Sequence, residues 1–244
     1  MKPVLRSIIR WLSLAALPGA LVLQPVNAAQ AAQDFSEAEQ ALFMRNQLAT
    51  LKPSLALRYR FKKSGQLEPG FDDTVTITLS KLADGSCCAA RAQFFSGPRE
   101  LKLPEIEAAL GNPVLLYFLE RDIREMQRLT KGQPNYFRKR IRLAIYGGAQ
   151  IRNVSVAVLG RDVAAREITV SPYLDDPLRA RFEKFATKQY IFTLSDAVPG
   201  GVVALRTRIG SAAADADTLL SEVLQFDGTS TTAPKPSAPA LRTP

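Results

Sequence analysis

The sequence LALRYRFK, residues 55 to 62, alternates apolar and polar side chains. Leu55, Leu57, Tyr59 and Phe61 take one set of alternate positions, and an alanine and three basic residues take the other. Because successive side chains of a strand point to opposite faces, the pattern predicts a strand with one buried and one solvated face. Such strands are typical of an antiparallel sheet that packs on one side only.

Alternation continues along the chain on the C-terminal side of this segment. Asp84-Gly85 and Pro199-Gly200-Gly201 are turn signals between alternating segments, so we expect hairpins and antiparallel pairing. The period of the last apolar segment, residues 219 to 226, is left open. The further predicted strands lie around residues 75–79, 88–94, 154–158, 168–170, 190–194 and 203–209.

Helices are predicted between these groups of strands. Ser36 and Glu39 form a capping box for a helix that Pro53 ends, and Asn112-Pro113 opens a clearer helix with Gly132 just past its end. The segment from Asn135 to Tyr146 fits a helix or a strand, and its composition favours the helix. A short helix is expected after Asp176-Pro177.

The order of elements predicts an α+β fold, a curved and mainly antiparallel sheet of about seven or eight strands with helices packed on one face. This arrangement is similar to the half-barrel of periplasmic lipoprotein carriers. The block GNPVLLYFLERDIREMQRLTKG (111–132), followed by NYFRKRIRLA (135–144), resembles exported Gram-negative proteins of unassigned function. That likeness covers roughly residues 55 to 210 and implies no activity.

The two ends of the chain are predicted to lie outside the folded domain. Residues 1–28 have three basic residues, an apolar run over 11–23 and Val26-Asn27-Ala28, which is typical of a signal peptide cleaved after Ala28. An uncleaved anchor is the alternative, although the run is shorter than the about 20 residues of a membrane span. We expect a single domain over 29–227, a disordered tail rich in Pro, Thr, Ser and Ala over 228–244, and no transmembrane span after cleavage.

Composition excludes several kinds of chemistry. The chain has no histidine and two cysteines, so Ser-His-Asp and Cys-His nucleophiles, imidazole metal sites and Cys₄ zinc sites are absent from it. Its net charge is +9, from 32 Lys+Arg and 23 Asp+Glu, and falls to +6 without Lys2, Arg6 and Arg10. That mild excess and the predicted export argue against a nucleic-acid partner. No cofactor, metal or catalytic residue is assigned.

Asp122 is the first candidate site residue. On a helical wheel it lies inside the apolar arc of the helix that starts at Pro113, where an unpaired carboxylate would be costly to bury. One interpretation is a structural bridge to a cation of the next helical segment; the other is a carboxylate that lines an internal pocket. The cations considered for the bridge are Arg138, Lys139, Arg140 and Arg142.

The opposite arc of the same helix is basic and forms the second candidate. It is either a solvated helix face or a surface for an anionic partner, such as a lipid head group or an acidic protein of the cell envelope. Its members are Arg121, Arg124, Arg128 and Lys131.

Cys87 and Cys88 are the third candidate. Adjacent Cα atoms are about 3.8 Å apart, less than the usual minimum of about 4.4 Å for a disulfide. Three states are therefore open: two free thiols, a vicinal disulfide, or a disulfide to another chain. Two further acidic pairs, Asp72-Asp73 and Asp175-Asp176, stand where turn and capping residues belong.

These features predict an exported, periplasmic, non-enzymatic binding or accessory protein for an apolar ligand or an anionic partner surface. The alternative is a histidine-free hydrolase that uses carboxylates such as Glu120 and Asp122. These two positions are about 160° apart on the wheel, which counts against one shared site.

Overall fold

Eight strands form one antiparallel sheet in the computed structural model, which describes residues 35–210 and 218–231. The strands are β1 (Leu55–Gly65), β2 (Phe71–Lys81), β3 (Cys87–Phe94), β4 (Gln150–Val158), β5 (Arg161–Val170), β6 (Gln189–Leu194), β7 (Val202–Gly210) and β8 (Thr218–Thr231). The helices are α1 (Glu37–Glu39), which continues as a π-helical turn over Gln40–Met44, α2 (Val114–Thr130), α3 (Pro134–Gly147) and two 3₁₀ helices over Gly97–Arg99 and Arg179–Phe185.

The strand order of the sheet is β3-β2-β1-β8-β7-β6-β5-β4. Strands that follow each other in sequence are neighbours within β1–β3 and within β4–β8, and β1 pairs with β8 from Leu55–Thr231 to Gly65–Leu220. Edge strands β3 and β4 do not pair with each other, so the curved sheet stays open. The predicted α+β fold, with a curved antiparallel sheet of seven or eight strands, is confirmed.

All helices that contribute to the core pack on one side of the sheet, which we call the helix face. Alternate residues of β1 point to it, and Tyr59 and Phe61 are buried there with Phe118 of α2. The other side, with residues such as Arg60 and Lys62, is called the open face. Each fully buried aromatic side chain contributes about 1.5–3 kcal/mol, so the helix face supplies most of the stability.

Asn112 connects the start of α2 to the sheet. Its Oδ1 accepts from Val114 N at 3.1 Å, and its Nδ2 donates to the Tyr59 hydroxyl and to the Gly200 carbonyl, both at 2.8 Å. Gly200 has φ +75°, and a Cβ there would lie 2.7 Å from Leu57 Cδ1 and from Asn112 Nδ2. The β6–β7 turn therefore needs glycine for both its backbone conformation and this close approach.

The segment 135–146 is helical, as its composition favoured. Phe137, Ile141 and Ile145 recur every four residues and are buried, whereas Leu143 is exposed. A strand would have buried Leu143 with its alternate neighbours, so the helical period decides the structure here.

Two predicted boundaries differ from the structure. The first helix ends at Met44 rather than at Pro53, because Arg45 has extended backbone angles, although Leu48 is still buried. At the other end, β8 continues to Thr231, so residues 228–231 are paired with β1 instead of belonging to the tail.

The predicted signal peptide and the rest of the tail, 232–244, lie outside the described residues. No helix in the described ranges is both long and apolar enough to cross a membrane.

Candidate functional site

Asp122 is fully buried between α2 and the sheet. Lys188 Nζ donates to its Oδ1 at 2.5 Å, and the Tyr190 hydroxyl donates to its Oδ2 at 2.6 Å. Burial and the negative charge of Asp122 raise the pKa values of Tyr190 and Tyr173, whose hydroxyls lie 3.2 Å apart, so both stay protonated. Both carboxylate oxygens are thus occupied by protein donors.

The predicted partners of Asp122 on the segment 135–146 were wrong. Arg138 pairs instead with Glu120 at 2.8 Å, and Arg140 pairs with Asp176 at 2.8 Å. The cation that reaches Asp122 comes from Lys188, which immediately precedes β6 and is buried with it. Of the arginines of α3, Arg138 pairs with a residue of α2, and that residue is Glu120 on the rim of α2 and not the buried Asp122.

The basic residues of α2 do not form one exposed stripe. Arg121 is only 3% exposed and points to the sheet, so its predicted position on a solvated face was wrong. Its guanidinium makes two hydrogen bonds to Glu222 of β8 and lies 5.0 Å from the ring centroid of Phe61. Arg124, Arg128 and Lys131 are exposed. A partner surface on α2 could therefore include these three residues but not Arg121.

Arg121 belongs to an ion cluster of three cations and three carboxylates that runs from the buried Glu222 to the exposed Arg128. Lys63 Nζ lies 2.5 Å from Glu68 and 3.6 Å from Glu222, and Arg121 lies 3.3 Å from Glu125. The members of the cluster are Lys63, Glu68, Arg121, Glu125, Arg128 and Glu222. Equal numbers of charges make the cluster neutral, as buried ions require.

Glu222 stays ionised in this cluster although it is buried. Burial alone would raise its pKa, but the charge and hydrogen bonds of Arg121, together with Lys188 and Lys63, lower the pKa to about 2. The Thr207 hydroxyl also donates to Glu222, at 3.2 Å. A carboxylate held in this way is a structural anion and not a proton donor near neutral pH.

The Sγ atoms of Cys87 and Cys88 lie against each other in the structure, and a vicinal disulfide between them stays a prediction. Cys88 is buried in the core and Cys87 is partly buried. The acidic pairs occupy turn and capping positions: Asp73 accepts from Thr74 N at 2.8 Å, and Asp176 accepts from Leu178 N at 2.8 Å.

A markedly apolar groove of about 560 Å³, which we call the helical groove, lies on the surface of the described residues. It lies where α1, α2 and α3 meet the segment 101–106, which bridges to β3 at Ala90–Ile106 and Phe94–Leu101. Its lining residues are Glu39, Phe43, Leu103, Pro104, Ile106, Leu116, Tyr117, Leu119, Glu120, Ile123, Arg138, Ile141, Arg142 and Ile145.

Specific hydrogen bonds hold the walls of the helical groove in place. The Tyr117 hydroxyl donates to the Pro104 carbonyl at 2.7 Å, which attaches the segment 101–106 to α2. The Ser36 hydroxyl donates to the Ile145 carbonyl at 3.3 Å, which attaches the start of α1 to α3. The protein's own hydrogen bonds therefore hold the groove together, and sequence reasoning missed it because its walls come from four separate segments.

The rim of the groove carries charge of both signs, but its carboxylates are already bound. Glu39 accepts from Ser36 N at 3.0 Å in the predicted capping box, and Glu120 is paired with Arg138 and, at 3.5 Å, with Arg124. Arg142 is exposed and makes no ion pair within the described part of the chain. The two carboxylates and two guanidiniums of the lining balance in charge, and Arg142 is the guanidinium among them that has no ion pair in the described part of the chain.

No protein-family model and no curated protein matches the chain. Several chains of solved structures resemble it weakly, including the following two. Lipoprotein LppX of Mycobacterium tuberculosis is 9% identical, with a TM-score of 0.31 over 70% of this chain and 84% of that chain. A LolA superfamily protein from Nitrosomonas europaea is 7% identical, with a TM-score of 0.21 over 79% of this chain and 92% of that one. Likenesses at this level do not identify a function.

We expect Asp122 and Lys188 to be strongly coupled. Asp122→Ala or Lys188→Met leaves one buried charge unpaired and should each cost about 3–5 kcal/mol of the free energy of unfolding. The double variant leaves no unpaired buried charge at this position. Its loss in free energy of unfolding should therefore be clearly smaller than the sum of the losses in the two single variants. Urea unfolding measures all three. Arg45→Met, which breaks the exposed pair with Asp196, should cost under about 1 kcal/mol. Additive costs for Asp122 and Lys188 would contradict the assignment.

Acid should destabilise the fold partly through Glu222. A carboxylate with a lower pKa in the folded state stabilises the fold above its unfolded pKa, about 4.3, and loses this contribution as the pH falls toward 2. Glu222→Gln should therefore melt at a lower temperature at pH 7 and show a smaller drop in Tm between pH 5 and pH 3 than the wild type. Thermal melts followed by circular dichroism test this. The exposed Glu107→Gln is the control, and an equal drop in all three proteins would refute the role of Glu222.

Proposed function

We propose that this protein is an exported, non-enzymatic binding protein whose helical groove holds the acyl chain of an anionic amphiphile. The observation that carries the proposal is the groove itself, about 560 Å³ and lined mostly by aliphatic and aromatic side chains. Small-molecule sites are typically apolar clefts of about 300–1,000 Å³ with a few polar groups that fix orientation. The helical groove has both properties.

Exposed apolar residues at the groove support binding of a hydrocarbon. Leu116 is 52% exposed and Phe43 is 39% exposed, although both border a cavity whose floor is formed by the buried Ile123, Ile141 and Ile145. Covering this surface with an acyl chain gains about 0.8 kcal/mol for each buried CH₂ group.

The guanidinium of Arg142 on the rim supports an anionic head group. Arg142 is available, whereas all three nitrogens of Arg138 already donate, to Glu120 and to Asn135. A guanidinium donates well to carboxylate or phosphate oxygens. An apolar groove beside such a cation favours a fatty acid or a lipid anion over a neutral hydrocarbon.

The hydrolase alternative finds less support. Asp122 is buried with both oxygens occupied, on the side of α2 that faces the sheet, and Glu120 lies on the groove rim with two arginines. The two carboxylates therefore do not converge on a common substrate position, which acid–base hydrolysis requires.

The predicted export of the protein is consistent with this function. Residues 1–28 have the charge, apolar run and small residues of a signal peptide, so we propose that the mature protein acts in the periplasm. An amphiphile that crosses this aqueous space needs its hydrocarbon shielded from water. An envelope lipid or its precursor is the partner that this combination favours.

Leu116→Glu should weaken acyl-chain binding at least tenfold, because it places a carboxylate at the mouth of the apolar groove. Displacement of a fluorescent fatty acid by oleate measures the affinity. Leu143→Glu is the matched control, since Leu143 is 48% exposed on α3 and lies outside the groove. If both variants bind oleate like the wild type, the groove is not the site.

Arg142→Gln should weaken binding of oleate but leave binding of the neutral monoolein nearly unchanged, because only the anion uses the guanidinium. The same displacement assay with both ligands at pH 8 gives the comparison. Equal losses for the two ligands would show that Arg142 acts through packing and not through its charge.

A further inference from the structure

The two outer edges of the sheet differ in how the chain covers them. At the edge of β3, Ala90 and Ile106 exchange two backbone hydrogen bonds, at 2.8 and 2.9 Å, and Leu101 N donates to the Phe94 carbonyl at 2.9 Å. The edge of β4 has no such cover in the described part of the chain, because β4 is the last strand of the order and pairs with β5 alone. We call this uncovered side the β4 edge.

The turn after β4 fixes which of its backbone groups point to the β4 edge. The two-residue turn Leu159-Gly160 has positive φ at both positions, 48° and 80°, so the flanking residues Val158 and Arg161 form a hydrogen-bonded pair. Hydrogen-bonded and non-hydrogen-bonded pairs then alternate along the ladder. The residues of β4 whose N–H and C=O groups point away from β5 are Ile151, Asn153, Ser155 and Ala157.

A side-chain contact on the other side of β5 agrees with this alternation. The Ser195 hydroxyl donates to the Ala164 carbonyl at 2.6 Å, so this carbonyl points to the end of β6 and not to β4. Ala164 lies opposite Ser155. In such a non-hydrogen-bonded pair both residues direct their backbone groups away from each other, so those of Ser155 point to the β4 edge.

β4 lacks the features that usually keep an exposed edge from pairing, which are a short length, proline, lysine or a bulge. It has nine residues in unbroken register with β5, and three of them are valines. Its one charged residue, Arg152, is bonded to Glu167 of β5 at 2.5 and 2.9 Å. The β4 edge is therefore a regular template on which another strand can add.

We propose that β4 pairs with β4 of a second copy of this chain, antiparallel and with the two-fold axis at Val154. This register overlaps all nine residues of the strand. It also sets every outward-pointing residue opposite another one, Asn153 opposite Ser155 and Ile151 opposite Ala157. About eight backbone hydrogen bonds then join the two copies.

The side chains of β4 are complementary to themselves in this register, which favours a second copy over an unrelated strand. On the open face Val154 lies opposite its own counterpart and Arg152 lies opposite Val156, so apolar side chains meet and the two arginines stay apart. On the helix face the amide of Asn153 lies opposite the hydroxyl of Ser155. No like charges face each other, and the two-fold axis repeats each favourable pair.

This pairing is separate from the proposed acyl-chain function. None of the residues that line the helical groove belongs to β4. Leu116→Glu should therefore leave self-association unchanged, and a failure of one proposal does not imply a failure of the other.

Sedimentation velocity of the mature chain, residues 29–244, over a range of concentrations tests the pairing. We expect a dimer in the wild type, and Ser155→Pro should weaken dimerisation at least tenfold, because it removes an outward N–H from each copy. β5 does not use this N–H, so the fold should be kept, and thermal melts check this. Ser155→Thr keeps the N–H and should dimerise like the wild type.

A cysteine at the two-fold axis tests the register by a second route. The two Cα atoms of Val154→Cys would lie about 4.5 Å apart, within the range of a disulfide. Those of the matched variant Val156→Cys would lie roughly 13 Å apart. Mild oxidation followed by non-reducing electrophoresis should therefore give a covalent dimer of Val154→Cys, well above the level in Val156→Cys and in the wild type.

Three results would overturn the proposal. They are a wild type that stays monomeric at every concentration, a folded Ser155→Pro that dimerises like the wild type, and equal cross-linking of the two cysteine variants. A strand of an unrelated partner at the β4 edge would give the first of these results.

Discussion

The packing of α2 on the sheet depends on two buried ion pairs, Arg121 with Glu222 and Asp122 with Lys188. Removing charges from water is costly, and each pair repays this only when both partners are in place. Arg121 and Asp122 are consecutive, so they leave the helix about 100° apart and reach different parts of the sheet, β8 and the start of β6. Because the two contacts point in different directions, they fix the rotation of α2 about its own axis. That rotation turns Leu116, Glu120 and Ile123 toward the helical groove.

The strands could be predicted because their signal is local. In β1, β2 and β5–β7 one face is buried, and alternation in the sequence reports this directly. The beginning of α2 could be predicted from Asn112 and Pro113 for the same reason. β8 could not, because the buried Glu222 occupies an apolar position of the pattern and the bulge at Asp227 shifts the alternation near its end.

The partners of the buried charges could not be predicted from the sequence. Asp122 and Lys188 are 66 residues apart, and Arg121 and Glu222 are 101 residues apart, so no spacing rule connects them. The helical wheel assumes that one side of a helix is buried, but α2 contacts the sheet and also the segment 101–106, which covers Tyr117. The helical groove depends on the same long-range geometry, because α1, α2, α3 and the segment 101–106 all contribute to its lining.

The position of β8 has a consequence for how the chain matures. β8 lies between β1 and β7, so the last strand of the domain occupies the middle of the sheet. Until β8 is in place, β1–β3 and β4–β7 are two separate groups of hairpins. The edges of β1 and β7 that β8 later covers are then unpaired and could associate with other chains. Contacts between the first and last strands are also slow to form, since a long loop must close first. Whether the chain emerges from the ribosome or, under the proposed export, from a translocation channel, its sheet is complete only after the residues up to Thr231 have emerged.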